Sequence, residues 1–439
     1  MARRRVLFIS HNHPDVLVGG VEMYVRDLYR AMERTAEWEP LLLARAGKPF
    51  SSDDAPYADS PITMVNNDPS QYLMYTDFSD YDPFWHRLST SKEVLTRHFH
   101  DFLVAQQPDV VHFHHTAYMG YDMVRVARNA LPGAAIVYSF HEYLPICHRD
   151  GQLVRTKGEV LCEKESPRRC HECFPTVTPQ DFYMRKRFIQ SHLGLADHFM
   201  VPSEYVRDRY VDWGIPYDKV TVQPILVEVH DRLPEAPVSR PRNRFAYFGQ
   251  LNPYKGADTL LEAMDVLGDD FDGHLWIYGA NLEKQSGAFR ERFAGLLEVE
   301  RDNVTFPGAY ERDRMNQLMA GIDWVLVPSI WWETGPMTVM EAMQYGRPVI
   351  CSDIGGMAEK VTDGVNGLHF RRRDPEHLAE VLQHAVDTPG LWDELRAGIP
   401  ESFPQWSAET HLRNVSAVYE RALAAHEPAS EDALEALGA

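Results

Sequence analysis

The sequence predicts an α/β protein with two domains, each built on a parallel sheet. Short apolar runs of strand length alternate with longer runs of helix length. This alternation occurs twice along the chain, and such an order is typical of parallel sheets with crossover helices. A polar segment rich in proline, residues 233–243, separates the two series and is the candidate linker. The 439 residues are enough for two domains with a core each.

The first series predicts a Rossmann-like N-terminal domain at residues 1–232. Strands are predicted at 5–10, 109–114, 134–140 and 197–202. Helices are predicted at about 21–35 and at 204–213, and Ser203 is a suitable cap for the second helix. The loop at 11–20 joins the first strand to the first helix.

The second series predicts another Rossmann-like domain at residues 244–405. Strands are predicted at 244–249, 274–278, 304–306, 323–327 and 348–352, and helices at about 257–267, 338–345 and 375–386. Residues 406–426 are predicted to form a helix that packs back toward the N-terminal domain. The segment at 427–439, rich in Ala and Glu, is predicted to be a flexible tail.

Composition excludes some classes of function. The formal net charge of −20 argues against a general nucleic-acid binder, which needs a basic surface. Hydrophobic residues make up 44%, which is ordinary for a soluble protein, and no apolar run has the length of a membrane span. The basic start leads into a short apolar run that is typical of a strand, not of a signal peptide. We therefore expect a cytoplasmic protein with at most peripheral contact with the inner face of the membrane.

Two carboxylates flank a predicted helix start after the strand at 323–327. Glu333 falls in the strand-to-helix loop, Pro336 suits the first helical turn, and Glu341 falls about one turn inside the helix, which Gly346 ends. A helix start attracts phosphate, whereas a carboxylate repels it, so the two Glu side chains are better suited to sugar or ribose hydroxyls. The alternative is a surface helix with two solvated Glu.

Two glycine-containing loops follow predicted strands. In the first, Gly249 permits close approach of a ligand to the backbone, and Lys255 places a cation beside a helix start, where a diphosphate could bind. The alternative for Lys255 is a surface lysine in a turn. In the second, Gly19 and Gly20 precede a helix and permit a similar approach, or form a flexible loop. Because the Gly-x-Gly-x-x-Gly pattern is incomplete there, a dinucleotide cofactor is unsupported.

Glu333 and Glu341, separated by seven residues after a strand that ends in Pro328-Ser329, resemble the signature of the retaining glycosyltransferases of family 4. That family has the GT-B fold, in which two Rossmann-like domains face a central cleft, and the resemblance covers nearly the whole chain. It implies that Glu333 contacts the donor sugar and Glu341 the ribose hydroxyls of the nucleotide. It also implies that Gly249 and Lys255 lie at the diphosphate.

The resemblance assigns the remaining site residues in the same way. It places the segment between the two Glu at the sugar and diphosphate: Gly335, Pro336, Met337 and Thr338. It places Gly19 and Gly20 against the donor phosphate and the acceptor, and His141, which follows the strand at 134–140, at the donor sugar. Gln250 stands where the family has an arginine, so it offers a neutral donor in place of a charged one.

The function implied is that of a retaining hexosyltransferase that moves a sugar from a nucleoside-diphosphate donor to an acceptor hydroxyl. The catalytic residues would be His141, Glu333 and Lys255, with no cofactor or divalent metal required. Acceptors could be a glycan, a lipid-linked glycan or a small molecule, in the biosynthesis of glycans, polysaccharides or glycolipids. The alternatives are a sugar-nucleotide epimerase, a phosphorylase, or a catalytically silent GT-B protein that binds a partner.

Four cysteines fall within one polar insert at about 145–175: Cys147, Cys162, Cys170 and Cys173. The Cys170-x-x-Cys173 pair suits tetrahedral coordination of a structural zinc ion, which would organise a segment that has few apolar residues. The alternatives are an iron–sulfur cluster, a redox pair or free thiols. Cys351 is predicted to be buried.

An aromatic and acidic segment and a group of three histidines each allow two interpretations. Aromatic and acidic residues alternate at 66–85, and they either hold a sugar acceptor or pack on their own domain. His112, His114 and His115 follow one another near a strand end, where core packing or a role in the acceptor loop is expected rather than metal binding.

Overall fold

The computed structural model describes residues 3–16, 19–47, 61–76, 78–89, 92–227, 240–402 and 407–426. The chain divides into two compact units: unit 1 contains Met1–Leu226 together with Ser407–Ala439, and unit 2 contains Val227–Trp406. Most of the candidate linker, up to residue 239, and the whole predicted tail at 427–439 lie outside the described residues.

The main sheet of unit 1 has, among its described residues, eight strands in the order β10-β9-β8-β7-β1-β2-β4-β3. All neighbours are parallel except β3 and β4. The strands are β1 (Arg4–Ser10), β2 (Trp38–Ala46), β3 (Ile62–Val65), β4 (Asp68–Tyr75), β7 (Val110–Phe113), β8 (Ala135–Ser139), β9 (His198–Val201) and β10 (Val220–Val222). A separate antiparallel pair is formed by β5 (Tyr81–Asp82) and β6 (Arg87–Leu88).

Unit 1 has helices along both its sheet and its insert. They are α1 (Gly20–Glu33), α2 (Lys92–Gln106), α3 (Asp122–Ala130), α4 (Pro167–Cys173), α5 (Pro179–Leu193) and α6 (Glu204–Trp213). All of these except α4 have buried residues. The last helix of the chain, α14 (Ala408–Ala424), also belongs to this unit, and its buried residues join the core cluster that contains β1 and α1.

Unit 2 has a six-stranded parallel sheet among its described residues, in the order β13-β12-β11-β14-β15-β16. The strands are β11 (Arg244–Gln250), β12 (His274–Ala280), β13 (Val304–Thr305), β14 (Trp324–Val327), β15 (Val349–Ser352) and β16 (Gly367–Phe370). The helices are α7 (Ala257–Leu267), α8 (Gly287–Leu297), α9 (Met315–Ala320), α10 (Met337–Gln344), α11 (Gly355–Lys360), α12 (Pro375–Asp387) and α13 (Leu391–Ser402).

The strand order places a switch point in each unit. In unit 2 the chain builds outward from β11 in one direction and then returns to add β14 on the other side, which is the Rossmann order. In unit 1 the same change of direction occurs between β1 and β7. Ligands of open α/β sheets bind beyond the carboxyl ends of the strands at such points. The loops after β1, β7, β11 and β14 are therefore the first places to search for a site.

The predicted α/β class is confirmed, and the predicted strands and helices are present with ends that differ by a few residues. One detail was wrong: Pro336 is the N-cap of α10 and precedes the first turn. Gly346 adopts a φ of +64° just after α10, as its role in ending the helix requires. In the described part of the chain, no helix combines the length and apolar character needed to cross a membrane.

Candidate functional site

Glu333 is a buried carboxylate in the loop between β14 and α10. Its Oε1 atom accepts hydrogen bonds from Lys255 Nζ and from Ser329 Oγ, each at 2.6 Å. It also accepts a bond from Trp331 Nε1 at 2.9 Å. A buried charge requires such partners, and the bond from a lysine is the strongest of the three. The loop therefore fixes Glu333 in one position and supplies a compensating cation.

Lys255 reaches Glu333 because the loop after β11 lies against the end of β14. Asn252 Oδ1 accepts the backbone N–H groups of Tyr254 at 3.0 Å and of Lys255 at 3.1 Å, and the first of these bonds closes an Asx turn. Gly256 follows with a φ of +70°, and a Cβ atom there would lie 2.0 Å from the carbonyl oxygen of Pro328. Glycine alone permits both this backbone conformation and this approach.

The start of α10 lies beside the carboxyl end of β11. Thr338 Oγ1 donates a hydrogen bond to the carbonyl of Phe248 in β11, at 3.3 Å. Pro336 is the N-cap, and no side chain caps this end of the helix. The backbone N–H groups of Met337 and Thr338 belong to the first turn, where N–H groups have no acceptor within a helix. This end of α10, together with Gly335 in the preceding loop, is suited to an anion.

Glu341 is buried on α10, one turn beyond these amides. Its Oε1 atom lies 3.4 Å from Arg312 Nη2, so the second carboxylate of the pair also has a cation as neighbour. At the end of β11, Gly249 is half-buried and the side chain of Gln250 is exposed. The structure thus brings Lys255, Glu333 and the start of α10 together, with Glu341 on the same helix.

The predicted residues of unit 1 lie at the carboxyl ends of its central strands. Gly19 is the N-cap of α1 and Gly20 its first residue. His141 follows β8, and its Nε2 atom lies 3.2 Å from Nδ1 of His114. Burial, with a smaller contribution from the neighbouring His115, lowers the pKa of His141 to about 3, so this imidazole is neutral at physiological pH.

His112 has a structural role. Its Nδ1 atom is hydrogen bonded to the hydroxyl of Tyr419 and its Nε2 atom to the hydroxyl of Ser139, both at 2.7 Å. With both ring nitrogens satisfied inside the core, this histidine joins β7 to α14 and β8.

The four cysteines of the insert are half-buried and form no disulfide among the described residues. Cys170 and Cys173 lie three residues apart on α4. Burial is the largest cause that raises the pKa values of Cys147, Cys162 and Cys170. Among the residues that the structure describes, no three His, Cys, Asp or Glu side chains are arranged to hold a metal ion. Metal binding by the insert therefore stays a prediction. Cys351 is buried in β15, as predicted.

The aromatic residues at 66–85 pack on unit 1 itself. Tyr72 contacts Phe102 with ring centroids 4.8 Å apart, and Phe84 contacts Phe182 at 5.6 Å. The structure favours the packing interpretation of this segment over acceptor binding. Asp77, one of the carboxylates in the segment, lies outside the described residues.

Comparison with protein families is decisive for both units. The family described as "Glycosyltransferase Family 4" matches residues 18–230, and the family described as "Glycosyl transferases group 1" matches residues 242–388. The two matches cover most of the chain. The chain belongs to the GT-B glycosyltransferases.

Curated relatives of this glycosyltransferase match parts of the chain. Granule-bound starch synthase 1 of Ipomoea batatas is 27% identical over 185 residues, which are 40% of this chain and 29% of the relative. Alpha-galactosylglucosyldiacylglycerol synthase of Streptococcus pneumoniae is 29% identical over 241 residues, 52% of this chain and 62% of the relative. The match spans less than half the length of starch synthase.

Solved structures share the fold of this glycosyltransferase over nearly its full length. Sucrose-phosphate synthase from Thermosynechococcus elongatus superimposes with a TM-score of 0.70 at 20% identity, covering 96% of this chain and 100% of the other. Anabaena HepE, solved in complex with UDP and glucose, superimposes with a TM-score of 0.65 at 16% identity, covering 95% and 100%. At these identities the likeness establishes the GT-B fold.

Sequence reasoning missed several side chains that shape the site of this glycosyltransferase. Ser329 and Trp331 hold the Glu333 carboxylate, and Arg312 lies beside Glu341. Ser329 and Trp331 lie in the same loop as Glu333, so the sequence does carry a signal for these two hydrogen-bond donors. Arg312 precedes α9 and carried no signal in the sequence.

Proposed function

We propose that this glycosyltransferase moves a sugar from a nucleoside-diphosphate sugar to an acceptor hydroxyl with retention of anomeric configuration. Lys255, Glu333 and the start of α10 lie together at the carboxyl ends of β11 and β14. This arrangement is the observation that supports the proposal. A cation and helix-start amides suit a diphosphate, whereas a fixed carboxylate suits sugar hydroxyls.

The charges of the side chains and helix-start amides determine the role proposed for each. Lys255 and the amides of Met337 and Thr338 stabilise the negative charge that develops on the departing diphosphate. Lys255 compensates the negative charge of Glu333. The carboxylate can therefore accept a hydrogen bond from a sugar hydroxyl beside the phosphates. Glu341 accepts hydrogen bonds from the ribose hydroxyls. Most of the rate enhancement then comes from positioning and electrostatic stabilisation.

Unit 1 supplies the acceptor side in this proposal. Gly19 and Gly20 let the donor phosphate and the acceptor approach the backbone at the start of α1. His141, neutral because of its burial, hydrogen bonds a hydroxyl of the donor sugar. The product class is a glycan, polysaccharide or glycolipid, and the reaction requires no metal.

A thermal-shift panel tests the nucleotide assignment. UDP, ADP, GDP and their glucose derivatives are added to the full chain, and the diphosphate that binds the native state raises its Tm by mass action. Glu341→Ala should reduce this shift because the ribose loses its acceptor. Glu262→Ala is the matched control, since Glu262 is also a carboxylate of unit 2 that pairs with an arginine, Arg292.

Two outcomes would contradict the proposal. If none of these nucleotides raises the Tm of the unmodified chain, unit 2 does not hold a nucleoside diphosphate. If Glu341→Ala and Glu262→Ala give the same shift as the unmodified chain, Glu341 does not bind ribose. Retention is tested separately by NMR of the anomeric proton in the first product formed from an α-linked donor. A β-linked first product would exclude it.

A further inference from the structure

A carboxyl group is buried at the carboxyl end of β1, directly beside the glycine loop of unit 1. Glu22, in the first turn of α1, is only 3% exposed. Its Oε1 atom lies 3.1 Å from Nε2 of His11 and accepts a hydrogen bond from Asn12 Nδ2 at 3.3 Å. A Cβ atom on Gly19 would lie 2.5 Å from Oε2, so the glycine leaves room for this carboxyl group.

A second carboxyl group faces the same pair of histidines from the other side. The rings of His11 and His115 overlap with centroids 4.1 Å apart and planes inclined by 34°. Nδ1 of His115 accepts the backbone N–H of Ala117 at 3.0 Å, so Nε2 carries the proton. That nitrogen lies 3.8 Å from Oε1 of Glu142. Two carboxyl groups thus bracket two overlapping imidazoles.

Two buried polar atoms next to this cluster have no hydrogen-bond partner in the described part of the chain. The hydroxyl of Ser10, which precedes His11, is 0% exposed and unpartnered. Nε2 of His114 is also unpartnered, and this residue is 1% exposed. The backbone N–H of His114 donates to Ile9, so β7 holds it beside β1. Buried polar groups are nearly always satisfied, so these two atoms call for a partner, and ligands of open α/β sheets bind at this switch point.

We propose that Glu22, positioned by His11 and Asn12, binds the reacting hydroxyl of the acceptor, and that this hydroxyl belongs to a neutral sugar or polyol. This inference rests on the proposed glycosyl transfer and adds the acceptor class and the residue that recognises it. An anionic acceptor is disfavoured, because two carboxyl groups line the cluster. The nearby cation, Arg45 of β2, already donates to Thr76 and to the carbonyl of Gly47.

The cluster makes acceptor binding dependent on pH. Burial raises the pKa of Glu22 to about 7, partly opposed by the hydrogen bond from Asn12. Burial and the charge of Arg45 lower the pKa of His11 to about 3, so His11 stays neutral. The ionised carboxylate accepts a hydrogen bond from the acceptor hydroxyl, and this form predominates above pH 7.

The other titratable and charged groups near Glu22 come from each element packed around it. They are Arg45 from β2, His11 after β1, His115 after β7, and His141 and Glu142 after β8. His115 and His141 are held neutral by burial, which lowers the pKa of each. Burial also raises the pKa of Glu142, to about 8, so Glu22 and Glu142 are the two groups of this set that change charge near neutral pH.

The test is the acceptor KM between pH 6 and pH 8, measured by release of nucleoside diphosphate from the donor that the thermal-shift panel identifies. The acceptor probes are methyl α-D-glucopyranoside, methyl α-D-galactopyranoside, methyl α-D-mannopyranoside, maltose and myo-inositol, with glucose 6-phosphate as the charged counterpart. The acceptor KM should fall roughly tenfold across this range as the carboxyl group ionises. Glu22→Gln should abolish this dependence and leave the donor KM unchanged. Glu142→Gln removes the other carboxyl group that titrates in this range and should keep the dependence.

Asp122→Asn is the matched control, because Asp122 is also a buried carboxylate of unit 1, paired with Lys92 and His192 away from this cluster. It should keep the pH dependence of the acceptor KM. The proposal is overturned if Glu22→Gln keeps that dependence. It is also overturned if glucose 6-phosphate is the one probe to which the enzyme transfers the sugar, or if no neutral probe accepts the sugar. A failure of the proposed function itself gives a different result, because then no nucleotide raises the Tm of the unmodified chain. Hydrogen-exchange protection of β1 and β7 equal to that of the unmodified chain shows that unit 1 of Glu22→Gln is folded.

Discussion

The pairing of Lys255 with Glu333 is the residue-scale feature on which donor binding depends. Lys255→Ala removes the cation from both the carboxylate and the proposed diphosphate position. Hydrogen bonds to charged groups contribute about 1.5–3 kcal/mol, so we expect a roughly ten- to hundredfold loss of kcat/KM for sugar transfer. Steady-state kinetics at fixed acceptor concentration measure this loss.

Lys360→Ala is the matched control for that measurement. Lys360 also pairs with a glutamate of unit 2, Glu359, at 2.9 Å, but on α11. We expect its kcat/KM to stay within twofold of the unmodified chain. Equal activities for the two variants would show that the diphosphate binds elsewhere.

Sequence reasoning could select Glu333 and Lys255 separately, because each adjoins a helix start marked by proline or glycine. It could not predict that they bond to each other. The two residues are 78 positions apart, and their contact depends on β11 and β14 being neighbours in the sheet. The cluster around Glu22 escaped prediction for the same reason, since three strand ends contribute to it.

At the scale of elements, Gly256 joins the start of α7 to the end of β14. Gly256→Ala would place a side chain at a φ of +70° and 2.0 Å from the carbonyl of Pro328. The left-handed backbone alone costs about 1–2 kcal/mol, and the clash adds to it. Urea unfolding should show the loss of stability. Gly364→Ala is the control, because Gly364 has a φ of +72° with nothing within 4 Å of a Cβ atom. Equal losses in both variants would mean that the approach to Pro328 is not tight.

The cysteine insert gives a second prediction at this scale. We expect about one zinc ion per chain in full-length protein purified without chelator, bound by Cys147, Cys162, Cys170 and Cys173, because four thiolates suit zinc. Cys170→Ser should lose the metal, whereas Cys351→Ser, in a buried strand of unit 2, should keep it. Elemental analysis decides the matter. Four titratable thiols in the insert and no zinc would refute the prediction.

Several elements with a strong pattern were predicted from the sequence, although β2, which is buried over most of its length, was not. The apolar run of β14 is buried along its whole length, so it stands out as a strand. In contrast, β3 is half exposed at the edge of its sheet and lacks such a run. The aromatic segment at 66–85 allowed two interpretations because its packing partners, such as Phe102 and Phe182, are distant in the chain.

For the whole molecule, α14 is the element that completes unit 1. Tyr419 bonds to His112 at 2.7 Å, Ser416 accepts a bond from Trp38 at 2.9 Å, and Val415 and Val418 are buried. A chain truncated after residue 406 should therefore lose hydrogen-exchange protection in β1 and β7 and keep it in β11 and β14. A chain that ends at residue 426 is the control and should keep both. Retained protection of β1 in the shorter chain would contradict the prediction.

The division of unit 1 between the two ends of the chain also has a consequence during synthesis. Unit 2 is continuous from Val227 to Trp406, so it can fold while the core of unit 1 still lacks its last helix. This reverses the usual order, in which the N-terminal domain folds first. At about 5–20 residues per second, the nascent unit 1 waits roughly 10–40 s for α14, with Trp38 and His112 uncovered. Chaperones that hold exposed apolar surface should therefore bind the ribosome-attached chain most strongly in that interval.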